Sequence, residues 1–265
     1  MIVRYETNGS LVMITQNDHA QLSGLFAAHW GNGELEKPRP YLSMVRAAMF
    51  HDRGWIRYET GPQLDPKTGR TPSFREVPND RPQLEAFEWA GDWLSAIDPY
   101  AGLMVMRHRS GLYQGRYGVM IHPPPIQRGK LPPEIEALIA RSEAKQKVAA
   151  EKVDARELAT NYNLLQVWDM LSLYICTGEV LKPDRIEPVP LSYSGAAGVA
   201  MQLRPLERDA IALTPYPFDQ PSLVTNVILR RLTRTSFKDT ADLQAEYFKT
   251  APQAMSLRLV AAAAA

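Results

Sequence analysis

Two side chains able to hold a metal ion or move a proton stand together at His51-Asp52. Met44, Val45, Ala47, Ala48, Met49 and Phe50 lead into them as an apolar stretch, and Gly54 and Trp55 follow. Burying an ionised carboxylate without a partner is prohibitive. The dipeptide is therefore either a solvated helix end or part of a site. The chain has five histidines, His19, His29, His51, His108 and His122. His19 shares a helical face with Phe26 and Trp30, which places it on a buried stripe. His29 lies roughly 80° round from it, close enough to line the same cavity. On the next helix Met44, Ala47 and Ala48 lie under His51, while Val45 and Met49 lie under Asp52.

Asp169 is the most telling residue. Its own helical face carries Tyr162, Leu165, Gln166, Ser172, Leu173 and Cys176, and Trp168, Met170 and Leu171 flank it. A lone carboxylate there must be neutralised, hydrogen-bonded or bound to a metal. His19, His51, Asp52 and Asp169, on three buried helix faces, suit a divalent ion such as Mn, Fe, Mg or Zn. The alternative has His19 and His51 as hydrogen-bonded core histidines and Asp169 bonded to a helix end or an arginine. His108 stands between Arg107 and Arg109. It either extends the site, with an arginine clamping an anion, or belongs to a solvated basic helix terminus. His122, before Pro123, Pro124 and Pro125, reads first as a loop residue and second as an additional ligand.

The elements that must position these residues follow from local signals. Residues 1–15 read as a β-hairpin around Asn8-Gly9, with both turn positions at positive φ. Asn17 or Asp18 then caps a helix running to about Trp30. A second helix spans about Tyr41 to Asp52. The proline-rich segment 57–82 is a long loop, of a length usually functional or disordered. Helices resume over Gln83 to Ile97, Tyr100 to Tyr113 and, as one or two helices, Pro133 to Cys176. The first half of the last stretch is a charged, solvated face; the second, NYNLLQVWDMLSLYIC, is buried. After Gly178 the short runs IEPVPLSY, VAMQLRPL and AIALTPYPF point to a small antiparallel sheet, and DLQAEYFKTAPQAMSLRLV reads as mixed. The expected fold is mainly α over a single domain, 1–265: a hairpin at 1–15, a helical core at 16–178 and a β-rich segment at 179–265, α+β overall.

Bulk properties narrow the function classes. Hydrophobic residues make up 45% and charged residues 22% of 265 residues, as in ordinary globular chains. A net charge of +1 gives no reason to expect a nucleic-acid or membrane partner. No run of about 18 apolar residues marks a membrane span, and the N-terminus lacks a signal-peptide pattern. One cysteine, Cys176, excludes an intrachain disulfide and a CxxC knuckle. A cytoplasmic protein is expected.

The order His19, His51-Asp52, Asp169 resembles the H…HD…D pattern of the HD superfamily of helical metal-dependent phosphohydrolases, and HD-R-G at 51–54 resembles its HD-x-G form. Over nearly its whole length the chain also looks like an uncharacterised bacterial family of HD-like proteins, through QNDHAQLSG, HWGN, HDRGW, RHRSGLY, WDMLSLYIC and PYPF. Trp55 departs from the basic or small residue often found there in characterised members. The resemblance implies an HD-like helical bundle holding a divalent metal on His19, His51, Asp52 and Asp169. It also implies hydrolysis of a small phosphorylated molecule, with Asp52, His108 and Arg109 as catalytic candidates and His108 and His122 as further ligands. Two other classes remain: a non-catalytic ligand-binding or interaction module, with 57–82 as its contact surface, and a di-iron oxygenase using His19, His51-Asp52, His108, His122 and Asp169.

Overall fold

Side-chain caps start most of the helices. The computed structural model describes residues 1–77, 80–119, 131–206 and 209–262. After a hairpin of β1 (Ile2–Tyr5) and β2 (Leu11–Ile14), α1 (Gln16–His29) begins at Thr15, whose hydroxyl accepts from the Asp18 N–H. Thr15, not Asn17 or Asp18, is the N-cap. α2 (Tyr41–Phe50) stops just before His51, and a single turn, α3 (Trp55–Tyr58), follows. Asp80, Asp98 and Asp154 cap α4 (Arg81–Ile97), α5 (Pro99–Gln114) and α7 (Ala155–Thr177); α6 (Pro133–Ala150) starts at a proline. Gly115, left-handed at φ 72°, ends α5.

The rest of the chain is β3 (Asp184–Val189), β4 (Val199–Leu206), β5 (Ala210–Thr214), β6 (Ser222–Leu232), α8 (Thr240–Lys249) and β7 (Gln253–Ala261). These strands and the hairpin form one seven-stranded sheet in the order β1-β2-β6-β7-β5-β4-β3. The β5–β7 pair is parallel and the other pairs are antiparallel. The molecule is 45% helix and 20% strand, its sheet curled into a half-barrel. This corrects the expectation of a mainly α, HD-like bundle with a small C-terminal antiparallel segment. The sheet is mixed, large, and built from both ends of the chain: Leu11, Val12 and Met13 pair with Leu232, Arg231 and Arg230.

α1 and α7 contact the sheet through β6, β3 and β1; α2 and α5 pack on them, and α4 and α6 pack on α5. One core joins these layers, with Phe26, Trp30, Trp168 and Leu171 against Phe218, Leu203, Ile211 and Val227. From Thr160 to Cys176 nearly every residue of α7 is buried, so this part of the helix shows no polar stripe. α8 closes a second cluster with Met13, Leu232, Leu243 and Tyr247.

The hairpin turn spans Glu6 to Ser10. Only Gly9 has positive φ, at 82°, while Asn8 Oδ1 accepts from the Ser10 N–H at 2.9 Å. The proline-rich loop is tied to the hairpin. Phe74 N–H donates to the Met1 carbonyl at 2.8 Å, Thr71 N–H to the Tyr5 hydroxyl at 2.8 Å, and Arg70 stacks on Tyr5. Among the described residues no helix is long and apolar enough to cross a membrane.

Candidate metal centre

His19 lies in the first turns of α1, His51 and Asp52 in the turn that ends α2, His108 on α5 and Asp169 in the middle of α7. All five are buried. His19 Nε2 and His51 Nε2 approach to 3.2 Å. Asp169 Oδ1 is 3.4 Å from His19 Nε2 and 3.3 Å from His51 Nε2. Asp52 Oδ2 is 3.4 Å from His19 Nε2, and Asp52 Oδ1 is 3.8 Å from His108 Nε2. The His51 ring packs edge-on against both other imidazoles, with centroids 5.0 Å from His19 and 4.8 Å from His108.

The surrounding hydrogen bonds fix which ring nitrogens carry protons. His51 Nδ1 is 2.7 Å from the Ala48 carbonyl, one of those left free at the end of α2, so Nδ1–H donates there. His19 Nδ1 is 2.7 Å from Ser172 Oγ. That hydroxyl gives its proton to the Asp169 carbonyl at 2.8 Å, so it accepts from His19. With the Ser172 proton on the Asp169 carbonyl, Ser23 Oγ donates to Ser172 Oγ at 2.9 Å and also lies 3.3 Å from the Trp168 carbonyl. Both histidines thus turn Nε2 lone pairs toward each other and toward two carboxylates. Such a cluster of acceptors holds together only around a proton or a cation. An imidazole whose outer N–H is tied to a carbonyl or hydroxyl is the usual arrangement of a metal-ligating histidine.

Without an ion, protons take that place. Burial depresses His51, but Asp52 and Asp169 more than reverse this and push it up to about 9. Burial raises Asp52 and Asp169, yet the facing histidines win: Asp52 lies well below the usual carboxylate range and Asp169 falls to about 2. His108 is held below its ordinary value by burial, only partly offset by Asp52. Its Nδ1 is buried without a hydrogen-bond partner among the described residues.

Among the described residues, two groups of donor atoms could each hold an ion: His19, His51 and Asp169, and His51, Asp52 and His108. Three groups missed by the sequence reading support them. Gln16 Nε2 donates to Asp52 Oδ2 at 3.2 Å, the Tyr117 hydroxyl donates to Asp169 Oδ2, and Ser172 orients His19. Ser172 had a signal, since it shares the Asp169 face. Gln16 sits beside a helix cap and Tyr117 in a post-helix turn, and neither position marks a side chain as inward.

Other candidates lie elsewhere. The Arg109 guanidinium stacks 3.5 Å from the Phe87 centroid and donates to Gln83 Oε1 at 3.3 Å and the Tyr113 hydroxyl at 2.8 Å. Arg107 lies over the Tyr162 ring at 5.2 Å and has no hydrogen bond or ion pair among the described residues. His29, at the far end of α1 and about 15 Å along the axis from His19, pairs with Asp219 at 3.1 Å. Cys176 is free and buried. Trp89 and Trp93 stack on each other, and Phe218 of PYPF packs on Trp30. His122 lies outside the described residues.

No curated protein and no solved structure matches this chain. A family model described as "Protein of unknown function (DUF3891)" matches residues 1–234, and the chain belongs to that family.

Proposed function

We propose that the chain is a metal-dependent hydrolase acting on a small phosphate ester in the cytoplasm. The observation that supports this is the tautomer lock: His19 and His51 hold their protons outward and aim lone pairs at the point faced by Asp169 Oδ1 and Asp52. Imidazole with carboxylate fits Mn, Fe or Zn better than Mg, which prefers an all-oxygen set. His19, His51, Asp52 and Asp169 would hold the ion, with His108 at its edge. The bound ion supplies an acidified water and polarises the phosphoryl oxygen.

The chain's own residues carry the protons. Hydrolysis joins one water oxygen to phosphorus and breaks the ester P–O bond. His108, kept neutral by burial, takes the proton the water gives up and returns it to the leaving oxygen. Asp52 Oδ1, 3.8 Å from His108 Nε2, orients the ring and stabilises its protonated form. The Arg109 guanidinium is committed to Phe87, Gln83 and Tyr113 and does not serve as the cation for the substrate's phosphate. The unpaired, buried Cys176 suits a reducing compartment.

Both donor groups use His51, which offers a single Nε2. Among the described residues this favours one ion over the pair a di-iron oxygenase needs. A non-catalytic binding module draws its support from burial, since Asp52 and Asp169 are each only 5% exposed.

Elemental analysis of purified protein tests the centre, with about one Mn, Fe or Zn per chain expected. A panel of phosphomonoesters, phosphodiesters and nucleotides tests the chemistry. Bound metal without turnover of any substrate selects the binding module. Absence of metal after loading, with a melting temperature indifferent to chelator, removes the centre altogether.

A further inference from the structure

Tyr117 does not belong to the H…HD…D pattern, yet the fold goes to some length to place it. Gly115 turns the chain back at the end of α5 in a conformation that disfavours a side chain. Just beyond Tyr117, the Gly118 and Val119 N–H groups both donate to Gln166 Oε1, at 2.7 and 3.1 Å. Gln166 is buried on α7 and also bonds back to the Tyr162 carbonyl at 3.1 Å. It sits three residues before Asp169, so the helix that carries the carboxylate also straps down the segment that carries the phenol.

The result is a division of labour between the two oxygens of Asp169. Oδ2 accepts from the Tyr117 hydroxyl, while Oδ1 faces the Nε2 atoms of His19 and His51 at 3.4 and 3.3 Å. The Tyr117 ring also packs edge-on against His108, with centroids 5.5 Å apart. The phenol is therefore in contact with two of the five residues of the cluster.

We infer that Tyr117 is a positioning residue that makes Asp169 a one-oxygen ligand. This rests on the metal-centre reading above. The bond to Oδ2 holds the carboxylate with Oδ1 toward the histidines and competes with chelation through both oxygens. Tyr117→Phe removes one oxygen and keeps the ring against His108. Gln166→Ala leaves the phenol and removes its strap.

The test titrates metal-free wild type, Y117F and Q166A with Mn2+ and with Co2+, following affinity by calorimetry and coordination by the visible Co2+ absorption. Loss of such an outer partner lowers metal affinity by about 10–100-fold. Y117F should fall in that range and shift the Co2+ bands, with Q166A showing a smaller change in the same direction. Y117F should lower the melting temperature of metal-loaded protein by more than that of metal-free protein. Y117F that binds as tightly as wild type, with an unchanged Co2+ spectrum, overturns the assignment and leaves the metal centre standing. The assignment also falls if Y117F loses as much stability without metal as with it, because the phenol then serves the fold. Wild-type protein that binds neither ion overturns the metal centre and this role with it.

Discussion

Asp52 and Asp169 are both buried carboxylates facing histidines, but their surroundings differ enough to separate their variants. Asp52 follows the last turn of α2, with Gln16 as its neutral partner. Asp52→Ala should abolish turnover and weaken metal binding while the fold survives, which circular dichroism and a phosphatase assay check together. Asp169→Ala strips the Tyr117 hydroxyl and both Nε2 atoms of their common acceptor. Breaking a buried charge network of this kind costs about 3–5 kcal/mol, so this variant should lose thermal stability as well as activity. Protonation gives a second check at the same residues. In metal-free protein His51 is raised to about 9, so its stabilisation is complete below the ordinary value of about 6.5 and is lost as pH rises through about 9. The melting temperature of chelated protein should therefore fall between pH 6.5 and 9, and metal-loaded protein should not show that slope. His19, His51, Asp52 and Asp169 were legible in sequence because expensive polar groups stood on apolar helical faces. Tyr117 and Gln16 were not, because their direction is set by a tertiary strap and a cap, which periodicity does not encode.

Helix ends do much of the positioning. His51 and Asp52 lie beyond Phe50, in the turn between α2 and α3, and the turn is held against α4. A Cβ added at Gly54 would lie 2.4 Å from Phe87 Cδ1 and 3.0 Å from the Ala86 carbonyl oxygen. Backbone cannot yield cheaply, so the glycine of H-D-R-G is needed for close approach to α4. Gly54→Ala should destabilise the protein by about 1–3 kcal/mol and lower metal affinity by displacing Asp52, measured by thermal unfolding and calorimetry. A stable Gly54→Ala with unchanged affinity would show that the turn tolerates the shift. The helices themselves were largely readable: the long helical stretch after residue 130 does divide into α6 and α7, and α4 and α5 lie close to their expected spans. The caps were less so, since Thr15 took the role expected of Asn17 or Asp18 by reaching the Asp18 N–H from one residue before the helix.

At the scale of the molecule the sheet was the feature least visible in the sequence, and β6 shows why. Its inward positions include Thr225, whose hydroxyl bonds the Leu257 carbonyl at 3.0 Å, and its outward positions include Val224 and Ile228, 55% and 41% exposed. Polar-in and apolar-out residues erase the alternation that marks a half-buried strand, yet β6 is the strand that joins the hairpin to β7. An ion network locks that join. Arg4 donates to the Cys176 and Gly178 carbonyls at the end of α7, each at 3.0 Å, and pairs with Glu6 at 2.9 Å. Glu6 in turn pairs with Arg231 on β6 and accepts from Ser10. One buried carboxylate therefore ties hairpin, sheet and the Asp169 helix together. Burial raises Glu6, but the hydrogen bonds and charges of Arg231 and Arg4 outweigh it and hold it below its ordinary value. A depressed carboxylate contributes stability above its unfolded value of about 4.3 and loses it as pH falls through the folded one. Glu6→Gln leaves Arg4 buried without its charge partner, at a cost of about 3 kcal/mol. Thermal unfolding at pH 7 should show a melting temperature lower by about 6–12 °C, with the gap to wild type closing as the pH drops below about 4. A gap that stays constant down to acid pH would mean that the loss comes from packing and that the charge of Glu6 does not hold the two ends of the sheet together.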